Sequence, residues 1–77
     1  MKNEKVMALL PGGGYGEYVS VEKSQVMKVP KGFSFEEAAA IPEVFLTGYG
    51  LLRSANVKAG DRVVVHAGAS GVGTALI

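Results

Sequence analysis

Gly68-Ala69-Ser70-Gly71-Val72-Gly73 is the stretch whose residue types and spacing can do chemistry. It follows Arg62-Val63-Val64-Val65-His66-Ala67, a near-continuous β-branched run, and precedes Thr74-Ala75-Leu76-Ile77, which reads as the opening of a helix. A buried strand, a glycine-rich turn and a helix start together form the pyrophosphate-binding entry of a Rossmann unit. Its first glycine permits the tight turn, small side chains let phosphate reach the backbone, and its last glycine lets helix and strand pack closely. Free N–H groups at the helix start then face the anion. Gly68 and Gly73 hold the first and third places of the fingerprint, Ser70 holds the second, and Gly71 lies between. Serine departs from G-x-G-x-x-G, yet it is small and adds a donor hydroxyl. A tight strand-to-helix connection without a ligand is the alternative for the same residues. A Walker loop is excluded because no Gly-Lys-Ser/Thr follows, and the spacing fits a Gly-x-Ser-x-Gly nucleophile elbow poorly.

Other reactive groups have plainer explanations. His66 is the sole histidine and the chain has no cysteine, so no metal site is expected and His66 is assigned a structural or solvent-facing role. Glu36 and Glu37 suit charge complementation at a helix start, and Glu43 suits an exposed helix position. Tyr15, Tyr18 and Tyr49 are expected to pack in a core or interface. No residue is assigned as catalytic.

The elements that would position the turn can be read along the chain. Val6 to Leu10 is a short apolar run stopped by Pro11-Gly12-Gly13-Gly14, and the β-formers of Gly16 to Val21 predict a second strand. Glu22-Lys23-Ser24 is a polar turn before Gln25 to Val29, whose alternation predicts a third. Pro30-Lys31-Gly32 closes this antiparallel β region. Ser34-x-x-Glu37 is a capping-box pattern, and Ala38-Ala39-Ala40 has high helix propensity until Pro42 ends or kinks the helix. Val44, Phe45, Tyr49, Leu51 and Leu52 recur at helical spacing in the next segment. Gly48 and Gly50 on one turn of that helix suggest close approach by another backbone or a ligand. Lys58-Ala59-Gly60-Asp61 is a turn, and the valine run behind it suits a strand buried on both faces, as in a parallel sheet.

Composition narrows the function classes. The 77 residues carry 8 Lys and Arg against 7 Asp and Glu, so no domain-wide field favours nucleic acid or an anionic membrane. Hydrophobic residues make up 48%, which argues for a packed core rather than disorder. Absence of cysteine rules out a disulfide framework. The first residues do not resemble a signal peptide, and a cytoplasmic location is the expectation. A domain this short buries only about 60% of the surface of its unfolded chain, so independent stability is expected to be marginal.

Met7-Ala8-Leu9-Leu10-Pro11-Gly12-Gly13-Gly14-Tyr15-Gly16-Glu17-Tyr18-Val19 forms one block. Ala38-Ala39-Ala40-Ile41-Pro42-Glu43 and Leu46-Thr47-Gly48-Tyr49 form the next. Ala59-Gly60-Asp61 and His66 to Ala75 complete the series. Taken in that order, these blocks are similar to the zinc-free quinone oxidoreductases of the medium-chain dehydrogenase/reductase superfamily. The similarity is to the branch that includes zeta-crystallin and, within it, the p53-inducible members. The resemblance implies a mixed α/β fragment, internal to a longer enzyme: residues 1–33 ending a GroES-like β-rich catalytic domain, 34–57 connecting helices, and 58–77 starting a Rossmann nucleotide-binding domain. It further implies NADPH as cofactor, a quinone-type small molecule as hydride acceptor, and no catalytic zinc. By position, Gly68, Ser70, Gly71, Val72 and Gly73 match the phosphate-binding turn and Thr47 a threonine beside the nicotinamide. The isolated chain is expected to be inactive as an NADPH:quinone oxidoreductase. The alternative is a noncatalytic fragment that acts as a homo-oligomer or beside a full-length relative.

Overall fold

The computed structural model describes residues 2–77. The chain divides into two compact units, Met1–Pro42 and Glu43–Ile77.

In the first unit, strand β1 (Val6–Met7) pairs antiparallel with β2 (Met27–Lys28), Val6 opposite Lys28 and Met7 opposite Met27. The Val29 amide extends the ladder to the Lys5 carbonyl at 3.0 Å, and the Lys28 ammonium stands 3.9 Å from the Glu4 carboxylate. A single 3-10 turn, Lys23–Gln25, leads into β2. Gly32 closes the Pro30-Lys31-Gly32 turn at φ +87°, a conformation that costs an L side chain about 1 kcal/mol or more. Helix α1 (Phe35–Ala39) begins with the reciprocal capping box: the Glu37 amide donates to the Ser34 hydroxyl at 3.0 Å, and the Ser34 amide to the Glu37 carboxylate at 2.9 Å. Lys5 lies over the Phe35 ring, 5.4 Å from its centre, a cation–π contact that ties the strand end to the helix start.

The expected strand at Gly16 to Val21 does not form, and β1 and β2 are shorter than the runs that predict them. β propensity reflects fit to a paired, half-buried surface, and Gly16 to Val21 finds no partner. Tyr15 and Tyr18 are accordingly fully exposed rather than packed. The core is small for the same reason, with Ala38 the buried hydrophobic residue among those described. Accessible surface is 6772 Å².

Pro42, the last residue of the first unit, opens helix α2 (Pro42–Ser54), whose remaining residues belong to the second unit; its missing N–H costs no helical bond there. The helix ends in a Schellman motif: the Asn56 amide donates to Arg53 and the Val57 amide to Leu52, both at 3.1 Å, with Asn56 at φ 56°. The turn after it is closed by the Lys58 amide donating to the Asp61 carboxylate at 2.8 Å and the Asp61 amide to the Lys58 carbonyl at 3.0 Å. Val63, Val64 and Val65 follow, but they form no ladder among the described residues. The expected buried strand is therefore not formed here, and Val64 is 81% exposed. Residues 66–69 turn directly into helix α3 (Gly71–Leu76).

Candidate functional site

The site is built from the turn upward. Ala67 takes φ 53°, a left-handed conformation that reverses the chain after His66, and its carbonyl accepts the Ser70 amide at 2.9 Å. Ser70 is extended, at φ −74° and ψ 169°, and caps α3: its hydroxyl accepts the Gly73 amide at 3.0 Å while its carbonyl accepts the Thr74 amide at 2.8 Å. The hydroxyl that the sequence offers as a phosphate donor thus already serves the helix as an acceptor. Its own hydrogen stays available, because an N–H donor occupies only an oxygen lone pair. The Thr74 hydroxyl donates back to the Gly71 carbonyl at 2.9 Å and stiffens the first turn.

Gly73 is buried, and its lack of a side chain is a steric requirement. A Cβ there would fall on the Ala67 carbonyl oxygen and stand 2.8 Å from both the carbonyl carbon and the Cα of Gly68. All three neighbours are backbone, so none can swing aside. This is the close helix-to-turn packing that the last fingerprint glycine supplies. Among the described residues the amides of Gly71 and Val72 have no acceptor within the chain. Two donors at a helix start, beside glycines that leave the backbone open, fit an anionic group such as a diphosphate.

Gly68, Ser70, Gly71, Val72 and Gly73 are brought together by this turn: Gly68 and Val72 half-buried, Ser70 and Gly71 exposed, Gly73 buried. Thr47 is exposed on α2, next to Gly48. Val44 and Gly48 of α2 lie close to α3, near Gly71 and Leu76 respectively. The paired glycines of α2 suggest approach by a backbone or a ligand; what comes near Gly48 is a side chain, Leu76 of α3. Gly50 has open space instead. Beside the turn lies an apolar cleft of 380 Å³ lined by Leu51, Leu52, Val57, Val63, Val64, Val72 and Leu76, with His66 and Ser70 as polar edges. Periodicity did not mark these residues as one surface, because they come from three separate segments.

The remaining charged groups stay outside the site. Glu43 is exposed in the first turn of α2, and the Tyr49 hydroxyl accepts from the Arg53 guanidinium at 3.3 Å. Tyr49 is also mainly exposed. The hydrogen bonds from Ser34 hold the Glu37 carboxyl below the usual glutamate range. No cluster of three metal-binding side chains occurs among the described residues. No helix among them is long and apolar enough to cross a membrane.

Comparison with known proteins places the chain against much longer relatives. It is 48% identical over 75 residues to a phenolphthiocerol synthesis polyketide synthase type I of Mycobacterium bovis, covering 96% of this chain and 4% of that protein. It is 41% identical to the pikromycin polyketide synthase component of Streptomyces venezuelae, covering 96% and 2%. It is 37% identical to a highly reducing polyketide synthase of Arthrinium phaeospermum, covering 96% and 3%. No family model matches the chain, and no solved structure does.

These relatives correct the expectation drawn from the quinone oxidoreductases. The chain's similarity runs to polyketide synthases, which contradicts the zinc-free quinone oxidoreductase family, the NADPH:quinone oxidoreductase activity and the quinone-type acceptor. The noncatalytic, self-associating alternative gains no specific support. The physical reason lies in the blocks that carried the resemblance: Pro11-Gly12-Gly13-Gly14, Ala38-Ala39-Ala40-Ile41-Pro42 and Gly68 to Gly73 are mostly glycine, alanine and proline. Such residues shape turns, caps and close backbone approaches. They do not touch an acceptor selectively, so they leave the substrate open. Along nearly its whole length the chain is similar to a stretch that makes up about 4% or less of several polyketide synthases.

Proposed function

We propose that the chain is part of the reductive apparatus of a polyketide synthase and that its glycine-rich turn holds the diphosphate of NADPH. Residues 58–77 would start a Rossmann-type nucleotide-binding domain, residues 1–33 would end a GroES-like β-rich domain, and 34–57 would connect them. The observation that carries the proposal is the packing of Gly73 onto the backbone of Ala67 and Gly68, which leaves the Gly71 and Val72 amides as open donors at the same corner. Support for the reductive role comes from relatives named as reducing polyketide synthases. Reductive domains of such synthases commonly use NADPH.

When bound, NADPH supplies hydride to an activated double bond of a polyketide acyl intermediate. The work of this chain is to bind and orient. The Gly71 and Val72 amides donate to the diphosphate, and the Ser70 hydroxyl keeps the Gly73 amide while giving its own hydrogen to a phosphate oxygen. Gly68 and Gly73 keep the corner narrow, and Val72 turns toward the apolar cleft. Thr47 is the proposed contact at the nicotinamide end.

Titrating NADPH into the chain and following backbone amide resonances tests the proposal. Shifts at residues 68–74, with a second set around Thr47, are expected, and an unchanged spectrum at saturating NADPH would refute it. A synthase segment containing these residues, supplied with NADPH, should reduce an acyl thioester. Comparing α,β-unsaturated with β-keto thioesters separates carbon–carbon from carbon–oxygen reduction.

A further inference from the structure

We infer that Val44 is a positioning residue for the glycine-rich turn, acting through Gly71; this rests on the dinucleotide reading above. Val44 and Gly48 are four residues apart on α2 and share one face. A Cβ on Gly71 would stand 3.1 Å from Val44 Cγ1, and a Cβ on Gly48 would stand 3.4 Å from Leu76 Cδ2. Helix α3 therefore rests on α2 at both its ends, the first residue against a valine methyl and the last helical residue over a bare glycine. Between these two seats Gly73 is locked onto the backbone of Ala67 and Gly68.

These seats bring α3 near α2 at both ends, and the Gly73 contact holds its start to the turn. Valine suits the first seat because a β-branched side chain in a helix is held in essentially one rotamer. It acts as a fixed stop, where a longer unbranched side chain would yield. The residue it stops, Gly71, carries one of the two open amides and adjoins the other. The bulk at position 44 thus sets how far those donors stand from the turn they face.

The test is the NADPH affinity of the 77-residue chain, measured by titration for wild type, Gly71→Ala, Val44→Ala, the double variant and Gly50→Ala. Gly71→Ala should weaken binding about tenfold, because its methyl pushes α3 off the Val44 stop. Val44→Ala alone should weaken binding about threefold or more, because Gly71 loses its stop, and wild-type affinity in that variant overturns the inference. The double variant, in which the new methyl fills the space vacated, should return to within about twofold of wild type. Alanine has the higher helix propensity, so a role limited to helix stability predicts unchanged or tighter binding for Gly71→Ala and no rescue. Gly50→Ala, where nothing lies within 4 Å, should leave affinity unchanged. The inference is overturned if Gly71→Ala binds as wild type does, or if the double variant binds no better than Gly71→Ala. A wild-type chain that fails to bind NADPH overturns the dinucleotide reading itself, and that failure is visible before any variant is compared.

Discussion

Replacing Gly73 by alanine probes the corner on which the proposed function depends. The added methyl would sit 2.8 Å from the Gly68 carbonyl carbon and Cα, and on top of the Ala67 carbonyl oxygen. Carbon atoms pack best at about 3.5–4.0 Å, so the shortfall is about 0.7 Å or more at two backbone atoms. Forcing in a methyl without a yielding neighbour costs about 1–3 kcal/mol. Opening the turn also weakens the bond from the Gly73 amide to the Ser70 hydroxyl, worth about 1 kcal/mol. Alanine's propensity returns about 1 kcal/mol. The net loss is about 2 kcal/mol, a substantial share of the roughly 4–12 kcal/mol available to a chain of this length. Thermal unfolding followed by circular dichroism should show the lower midpoint, and NADPH titration should show weaker binding, because opening the corner moves the Gly71 and Val72 amides. A Gly73→Ala chain as stable as wild type, with NADPH affinity within about twofold of it, would refute the steric reasoning.

Gly50→Ala supplies the opposite case: with open space around the glycine, alanine should raise stability by about 1 kcal/mol, and an unfolding midpoint at or below wild type would contradict this. Ala67→Gly should also stabilise, by about 1 kcal/mol, because φ 53° is strained for alanine; chemical denaturation measures it, and a decrease would argue against the left-handed turn. Asn56→Ala should cost about 1 kcal/mol by straining the end of α2, which a denaturation midpoint will register. The Glu37 carboxyl titrates below its unfolded value, so the unfolded chain binds more protons as the solution is acidified. Its contribution is therefore complete above the ordinary glutamate range, about pH 4, and is lost as pH falls through the folded value. Carboxyl resonances should report the low titration, and Glu37→Gln should remove this pH dependence while keeping the cap.

Much of the local structure was legible. Ser34 and Glu37 form the capping box that their spacing predicts, Pro42 separates two helices, and Lys58 to Asp61 form the expected turn. At the candidate site a helix does follow the glycine-rich stretch, but it starts at Gly71, three residues before the Thr74 opening that the sequence suggests, because Ser70 caps it. The missing strands share one cause. Gly16 to Val21 and Val63 to Val65 have the side chains of strands but lack the ladders, since each ladder needs a second segment that neither run provides for itself. Tyr15 and Tyr18 read as packing residues for the same reason and remain exposed.

Caps, turns and helix starts depend on groups within about four residues of one another, so residue order alone settles them. The seating of Gly71 against Val44 and of Gly48 against Leu76 joins residues 27 and 28 positions apart, and no local pattern encodes such a distance. Three-dimensional packing was needed to show that Gly73 must be glycine, that the Ser70 hydroxyl is already engaged, and that the Gly71 and Val72 amides remain open. Those features arise where separate segments meet, and burial and hydrogen-bond satisfaction are properties of the meeting rather than of either segment.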